Sequence, residues 1–164
     1  MTAALTTWYL ELSNPALLRP APWPPLAWKL TPLAPPDWRF NRRMYLQVGA
    51  AWQWHDKRDC SDQQWQAHVA QPGLETWCLQ VAQQTAGYAE LLRGPQDTEL
   101  LYFGLLPDQL GRRLGGAFLS QVLGQALSYG QRVWVHTCNL DHPAALRNYQ
   151  ARGMSLYRTD TGAA

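Results

Sequence analysis

Three glycines and two arginines stand together at Gly111, Arg112, Arg113, Gly115 and Gly116, directly after an apolar run. Six of the seven residues Leu100–Leu106 are apolar or aromatic, with Gly104 the exception, which predicts a strand buried on both faces. Pro107 ends it, because proline offers no N–H to a sheet ladder. Asp108 and Gln109 turn the chain, and a helical pattern begins among the glycines. A strand, a tight loop and a helix N-terminus form an anion site. The first backbone N–H groups of a helix have no intrahelical partner, and the helix dipole favours negative charge there. Glycine lets a phosphate approach the backbone, and the two arginines add charge. The same pattern also occurs as a plain strand–turn–helix connection, so alone it leaves phosphate binding open.

Other clusters compete for attention. His136 and Cys138 share a strand face and, with His142, suggest a zinc site or a Cys–His nucleophile, but three candidate ligands at this spacing match no common zinc pattern. A buried strand histidine bonded within the core is the expectation for His136. Tyr45, Trp52, Trp54 and His55 form a denser aromatic group than a surface helix requires, suited either to a pocket wall or to core packing.

The stretch Glu99–Gly116, ELLYFGLLPDQLGRRLGG, resembles the cofactor-binding motif of the GNAT superfamily, the acetyl-CoA-dependent N-acetyltransferases. That loop reads Gln/Arg-x-x-Gly-x-Gly/Ala. Leu110, Gly111, Arg112, Arg113, Leu114 and Gly115 match it, with Leu110 in place of Gln or Arg and Arg113 in place of the middle glycine. The segment Asn139–Gly153, NLDHPAALRNYQARG, resembles the second superfamily motif, Asn-x-x-Ala-x-x-x-Tyr-x-x-x-Gly-Phe. Here Asn139, Ala144 or Ala145, Tyr149 and Gly153 match, with Met154 for Phe and two or three extra residues before the alanine. HTCNLDHPAAL is similar to a VHTCTLDHPAAL-type segment of one bacterial subgroup. The resemblance covers Leu74 to Arg158, about half the chain.

The resemblance implies an α/β (α+β) domain of the GNAT fold. Its mixed central sheet would have six to seven strands, a bulged and splayed central pair, and flanking helices. It implies acetyl transfer from acetyl-CoA, as co-substrate, to a primary amine by direct attack in a ternary complex. No metal is called for. Pyrophosphate would lie on Leu110, Gly111, Arg112, Arg113, Leu114, Gly115 and Gly116, and pantetheine on the backbone of Leu105 and Leu106, with Asn139 in reach. An attacking amine needs a base and a leaving thiolate benefits from an acid. Glu99, eleven residues before Leu110, occupies the spacing of a catalytic glutamate in the histone-acetyltransferase branch and is the expected base, directly or through water. Asp97 and Glu90 compete for that role. Tyr149 is the expected acid. Tyr45, Trp52 and Trp54 would line the acceptor pocket, because the early helices cover it in this superfamily. The departures at Leu110 and Arg113 motivate an alternative, a non-catalytic CoA-binding regulatory module. A third reading is a structural fold that has lost CoA.

These residues need elements to hold them. Leu5–Leu12 alternates as a first strand. Pro15–Pro36 holds eight of the twelve prolines, so it is neither a regular helix nor a central strand; Trp23 and Trp28 argue that it packs on the domain. Asn41–Trp54 has helical spacing, and Ser61 with Gln64 signals a capping box for a second helix ended by Pro72–Gly73. Leu74–Val81 and Gly87–Arg93 read as a hairpin around the polar turn 82–86. The helix after the loop carries the stripe Leu119, Val122, Leu123, Ala126 and Leu127. Arg132–Cys138 is a strand, parallel to the central one by the crossover rule. Pro143 suits the first position of a short helix and Gly153 its C-terminal cap. Met154–Arg158 is a final strand, with a frayed tail from Thr159.

The 164 residues suffice for one domain with a real core: 1–73 as a variable acceptor-side part, 74–158 as the acetyl-CoA-binding core. Net charge of +2 without a basic run argues against nucleic acid. No apolar stretch reaches membrane-spanning length, no signal peptide is read, and three scattered cysteines fit reduced thiols; the expected location is cytoplasmic. The partner would be a small-molecule or peptide amine, and pairing into a homodimer stays open. Few acidic residues cluster in the N-terminal half, so a polycationic amine is not specially indicated.

Overall fold

The computed structural model describes residues 3–163. The strands are β1 (Leu5–Leu12), β2 (Trp28–Pro32), β3 (Leu74–Val81), β4 (Gln84–Arg93), β5 (Asp97–Leu105), β6 (Arg132–Cys138) and β7 (Ser155–Gly162). The helices are α1 (Trp38–Gly49), α2 (Asp62–Ala70), α3 (Gly115–Leu127) and α4 (Ala145–Ala151). All seven strands join one mixed sheet in the order β2-β3-β4-β5-β6-β1-β7. Only β5 and β6 pair in parallel, across the α3 crossover.

That parallel pair is short. Asp97, Thr98 and Glu99 face Arg132, Val133 and Trp134, and pairing stops there although both strands continue. On its other side β5 pairs with β4, Glu90 opposite Tyr102 and Leu91 opposite Leu100. Leu101 is therefore an extra residue, a bulge that bends β5 where it leaves β6. The bulge and the splay give the cleft its place.

Each face of the sheet carries its own core. On one, α3 buries Phe118, Leu119, Val122, Leu123 and Ala126 against Leu79, Leu91, Leu100 and Val133. Each such side chain stabilises the fold by about 1.5–3 kcal/mol. On the other, α1 packs Phe40, Met44 and Val48 on Cys78 and Tyr88. The proline-rich segment lies along the domain. The Ala21 N–H donates to Ser120 Oγ at 2.8 Å, the Arg19 N–H to the Arg152 carbonyl at 2.9 Å, and Trp23 stacks on Trp28 at 4.2 Å. Its one strand, β2, sits at the sheet edge, where proline is tolerated. Among the described residues no helix is long and apolar enough to cross a membrane.

Several elements depart from expectation for local reasons. The helix expected over 41–54 begins at Trp38, capped by the Asp37 carboxylate on the Arg39 N–H, and ends at Gly49. Trp52 and Trp54 lie in the turn beyond, and Trp54 folds back over Gly49, where a Cβ would meet it at 2.5 Å. The β3–β4 turn is only Ala82 and Gln83, both at positive φ, so β4 starts earlier than expected. Pro143 precedes α4 instead of opening it. The tail from Thr159 is not frayed: Thr159, Thr161 and Gly162 face Trp8, Thr6 and Leu5 in β7's ladder with β1.

Candidate active site

The cleft between β5 and β6 holds two adjoining cavities. The first, about 390 Å³, runs from Trp52 and Trp54 past Phe103, Leu105, Gly115 and Asn148. The second, about 370 Å³, lies between Leu101–Phe103 and Val135–Cys138 and includes Asp56. They share Trp54, Phe103, Asp141 and Tyr149. The Leu106 N–H donates to the Ala86 carbonyl at 2.8 Å. Alternation along an antiparallel strand then turns the backbone groups of Phe103 and Leu105 away from β4, toward the open edge. Leu105 thus meets the expectation of a backbone facing the cleft. Leu106 does not: its N–H serves Ala86 and its carbonyl accepts from Gln109 at 2.9 Å.

The glycine loop ends at α3. Gly111 has φ +75° and Arg113 has φ +61°. Arg113 thus keeps the left-handed backbone that the family pattern assigns to glycine, so the loop path survives the substitution. No side chain caps the start of α3. Gly115 and Gly116 line the first cavity, and a Cβ at Gly115 would find nothing closer than Asn148 Nδ2 at 3.8 Å. This open, uncapped helix start fits a phosphate group by geometry and dipole. Leu110 lines the cavity with its side chain 38% exposed, whereas Leu114 is buried in the core and offers only backbone. Arg112 donates to Gln109 Oε1 at 2.6 Å, tying the loop to the turn before it.

Tyr149 projects from α4 to the junction of the two cavities and is only 6% exposed. Burial pushes its phenol well above the ordinary range, and Asp141 adds to the rise, so it keeps its proton at neutral pH. Glu99 lines neither cavity. It sits at the last position of β5 paired with β6, its side chain 15% exposed, with His136 Nε2 at 3.9 Å. Burial raises the Glu99 carboxyl, with Asp97 adding to it, which makes Glu99 a better base than a free carboxylate. His136 departs from the buried core residue expected: its side chain is 50% exposed and lines the second cavity. Burial of the ring lowers its pKa against the pull of Asp141 and Asp56, favouring neutral imidazole.

Of the expected acceptor residues, Trp54 lines both cavities and Trp52 only the first. Trp52 packs on His142 at 4.6 Å and Trp54 Nε1 donates to Asp141 at 3.2 Å. Tyr45 lines neither cavity. It is 1% exposed, and its hydroxyl donates to Asp56 at 2.5 Å and accepts the Lys57 N–H. Asn139 also faces elsewhere: its side chain bonds the Thr6 N–H and the Ala4 carbonyl, fastening β1 to β6. Glu90 is fully buried, bonded to His68 and Asn41, and lines neither cavity. Asp56, Asp141 and Asn148 line the cleft without having been anticipated, and so does His142, considered above only with His136 and Cys138. Asn148 donates to the Gly115 carbonyl at 3.2 Å and so couples α4 to the loop. Its position next to Tyr149 was its only available signal.

Comparison with known proteins agrees with this geometry. The family model described as acetyltransferase (GNAT) family matches residues 33–154. The fold is similar to a GCN5-related N-acetyltransferase from Sphaerobacter thermophilus, with TM-score 0.73, 13% identity, and coverage of 96% of this chain and 50% of that one. It is similar to one from Kribbella flavida, with TM-score 0.66, 16% identity, and coverage of 98% and 60%. An aminoglycoside acetyltransferase from an uncultured soil metagenomic sample, solved with trehalose, matches with TM-score 0.62, 13% identity, and coverage of 76% and 86%. The chain thus spans about half to three-fifths of the two GCN5-related proteins, and no curated protein matches it in sequence. A family match over most of the chain, on a seven-stranded sheet splayed beside a glycine loop, shows that this protein belongs to the GNAT acetyltransferase family.

Proposed function

We propose that the protein transfers an acetyl group from acetyl-CoA to a primary amine by direct attack. The observation that carries this reading is the pair of cavities meeting at Tyr149. One is apolar and ends at an uncapped helix start bearing Gly115 and Gly116; the other is more polar. The first suits the donor, with pyrophosphate on the N–H groups from Leu110 to Gly116 and pantetheine along the outward backbone of Phe103 and Leu105. The second suits the acceptor.

The reaction forms a C–N bond and breaks a C–S bond. The amine nitrogen loses a proton and the leaving sulfur gains one. Tyr149 is the acid. Its phenol stays protonated at neutral pH and stands where the cavities join, so it supplies a proton as thiolate develops. Glu99 is the base. It stands back from the cavity, so the proton reaches it across the gap occupied by the His136 ring or a water. Direct transfer needs no acyl-carrying nucleophile, so the Cys138 thiol on the wall of the second cavity takes no part in it. The non-catalytic alternative drew on Arg113, and its glycine-like backbone weakens that ground.

The test is thiol release from acetyl-CoA with a panel of primary amines. Amine-dependent release with a matching N-acetyl product supports the reading. CoA binding without product from any amine would select the non-catalytic module.

A further inference from the structure

We infer that the acceptor carries a second, non-reacting cationic group, as in a short alkyl diamine, and that Asp56 receives it. The inference rests on the transferase reading in treating the second cavity as the acceptor side. Asp56 follows α1 and Asp141 follows β6, far apart in sequence, yet both line this cavity. No lysine or arginine lines it among the described residues. An acceptor with a free carboxylate, such as an amino acid, would therefore meet two aspartates and no lysine or arginine on the cavity wall. A cation meets the opposite situation.

Asp56 is built as a receptor. The Tyr45 hydroxyl donates to one carboxylate oxygen at 2.5 Å and the Tyr102 hydroxyl to the other at 2.6 Å. Two donors fix the rotamer of an exposed carboxylate, and the remaining lone pairs are left for a ligand. Burial would raise this carboxyl, but the Tyr102 and Tyr45 hydroxyls, a backbone N–H and the neighbouring Lys57 ammonium together hold it below its ordinary value, so it stays charged. A depressed carboxylate is a poor base and a good anchor, which separates its role from that of Glu99. Asp141 adds negative field while fully engaged by Trp54 Nε1, the His142 N–H and the Thr137 hydroxyl.

The walls suit the same ligand. Trp54, Tyr102 and Phe103 present aromatic surface, and a desolvated cation gains from their ring faces. Tyr149 is an independent pointer: the residue is only 6% exposed, yet it lines both cavities. A phenol at that junction marks the end where the reacting nitrogen belongs, and Asp56 marks the other. The ligand is thereby a small molecule with an amine at one end and a cation at the other, in a cavity of about 370 Å³.

The experiment compares 1,4-diaminobutane, butylamine and 4-aminobutanoate on the wild-type protein saturated with CoA, by calorimetry, and in parallel by thiol release with acetyl-CoA. The expected result is that the diamine binds about tenfold or more tighter than butylamine, with 4-aminobutanoate weakest. Asp56→Asn, which keeps side-chain shape, should narrow the diamine-to-butylamine ratio to about threefold or less. Equal binding of diamine and butylamine, or preference for 4-aminobutanoate, overturns the inference without needing any variant. Acetylation of amines with no diamine preference overturns this inference alone. Asp56-dependent diamine binding without any acetylation supports it and overturns the transferase reading.

Discussion

Removing His68 should destabilise the fold and widen the bulge beside the cleft. His68 Nε2 lies 2.6 Å from Glu90 Oε2, with side chains 5% and 0% exposed. Glu90 Oε1 accepts from Asn41 Nδ2 at 2.7 Å, and Asn41 also reaches Thr76 Oγ1 at 2.8 Å. This network ties α1 and α2 to β4 at the residue that faces Tyr102, next to the bulge at Leu101. His68→Leu removes the donor from one carboxyl oxygen and leaves the other served. Breaking a buried pair from one side costs about 3–5 kcal/mol, and the surviving Asn41 bond argues for the low end, about 3 kcal/mol. For a domain of this size each kcal/mol shifts Tm by about 2–4 °C, so the expected loss is about 6–12 °C. Replacing both partners, His68→Leu with Glu90→Leu, removes the orphaned group and should recover most of that loss. Thermal unfolding followed by circular dichroism supplies the numbers for a double-mutant cycle. A change within about 0.5 kcal/mol for His68→Leu, or strictly additive losses, would refute the reasoning.

Tyr149→Phe should lower the single-turnover rate by about 10²–10⁴ with CoA affinity and Tm little changed, because the hydroxyl has no partner to lose; stopped-flow thiol release beside calorimetry checks this. Gly115→Asp should abolish CoA binding while folding normally, since a Cβ there makes only ordinary contacts at 3.8 and 3.9 Å; calorimetry of a variant with native Tm decides it. Glu99→Gln should slow transfer by about 10²–10⁴, with the residual rate rising with pH. The same variant has a stability signature. The raised carboxyl of Glu99 favours the folded state when protonated, and this contribution is lost as pH rises through its folded pKa, so the wild type loses stability there and Glu99→Gln does not. Denaturant unfolding at several pH values reads the difference.

The legible parts of this chain were those with local signatures. β1, β3 and β6 follow alternating or continuous apolar runs and fall at their expected bounds. The capping box at Ser61 and Gln64 placed α2, with the Ser61 hydroxyl and Gln64 side chain bonded as a reciprocal pair. The glycine loop and Tyr149 were legible through motifs. What stayed hidden depends on long-range pairing. Nothing local in Thr159–Gly162 shows that this polar segment pairs with a strand at the other end of the chain. Nor does β1 reveal in its own residues that it lies between β6 and β7. Asn139 looked like a cofactor contact because the motif placed it there, but the adjacent β1 backbone claims its amide. Tyr45 looked like a pocket wall because aromatic density does not say which ring is behind another; its contact with Asp56 puts it in the second layer. Asp56 carried no motif and Asp141 lay in a motif segment without an assigned role, and only the splayed cleft brings them together.

The central claim is that the first cavity holds the donor and the second the acceptor, with transfer at Tyr149. The most direct measurement is a single turnover of acetyl-CoA with enzyme in excess, following both free thiol and N-acetyl product as 1,4-diaminobutane is varied. The account predicts that thiol and product appear together, at a rate that saturates with amine, with no thiol burst in its absence. A stoichiometric burst of thiol before amine is added would contradict it, because direct attack forms no acyl-enzyme intermediate; such a burst would point to the Cys138 thiol in the second cavity.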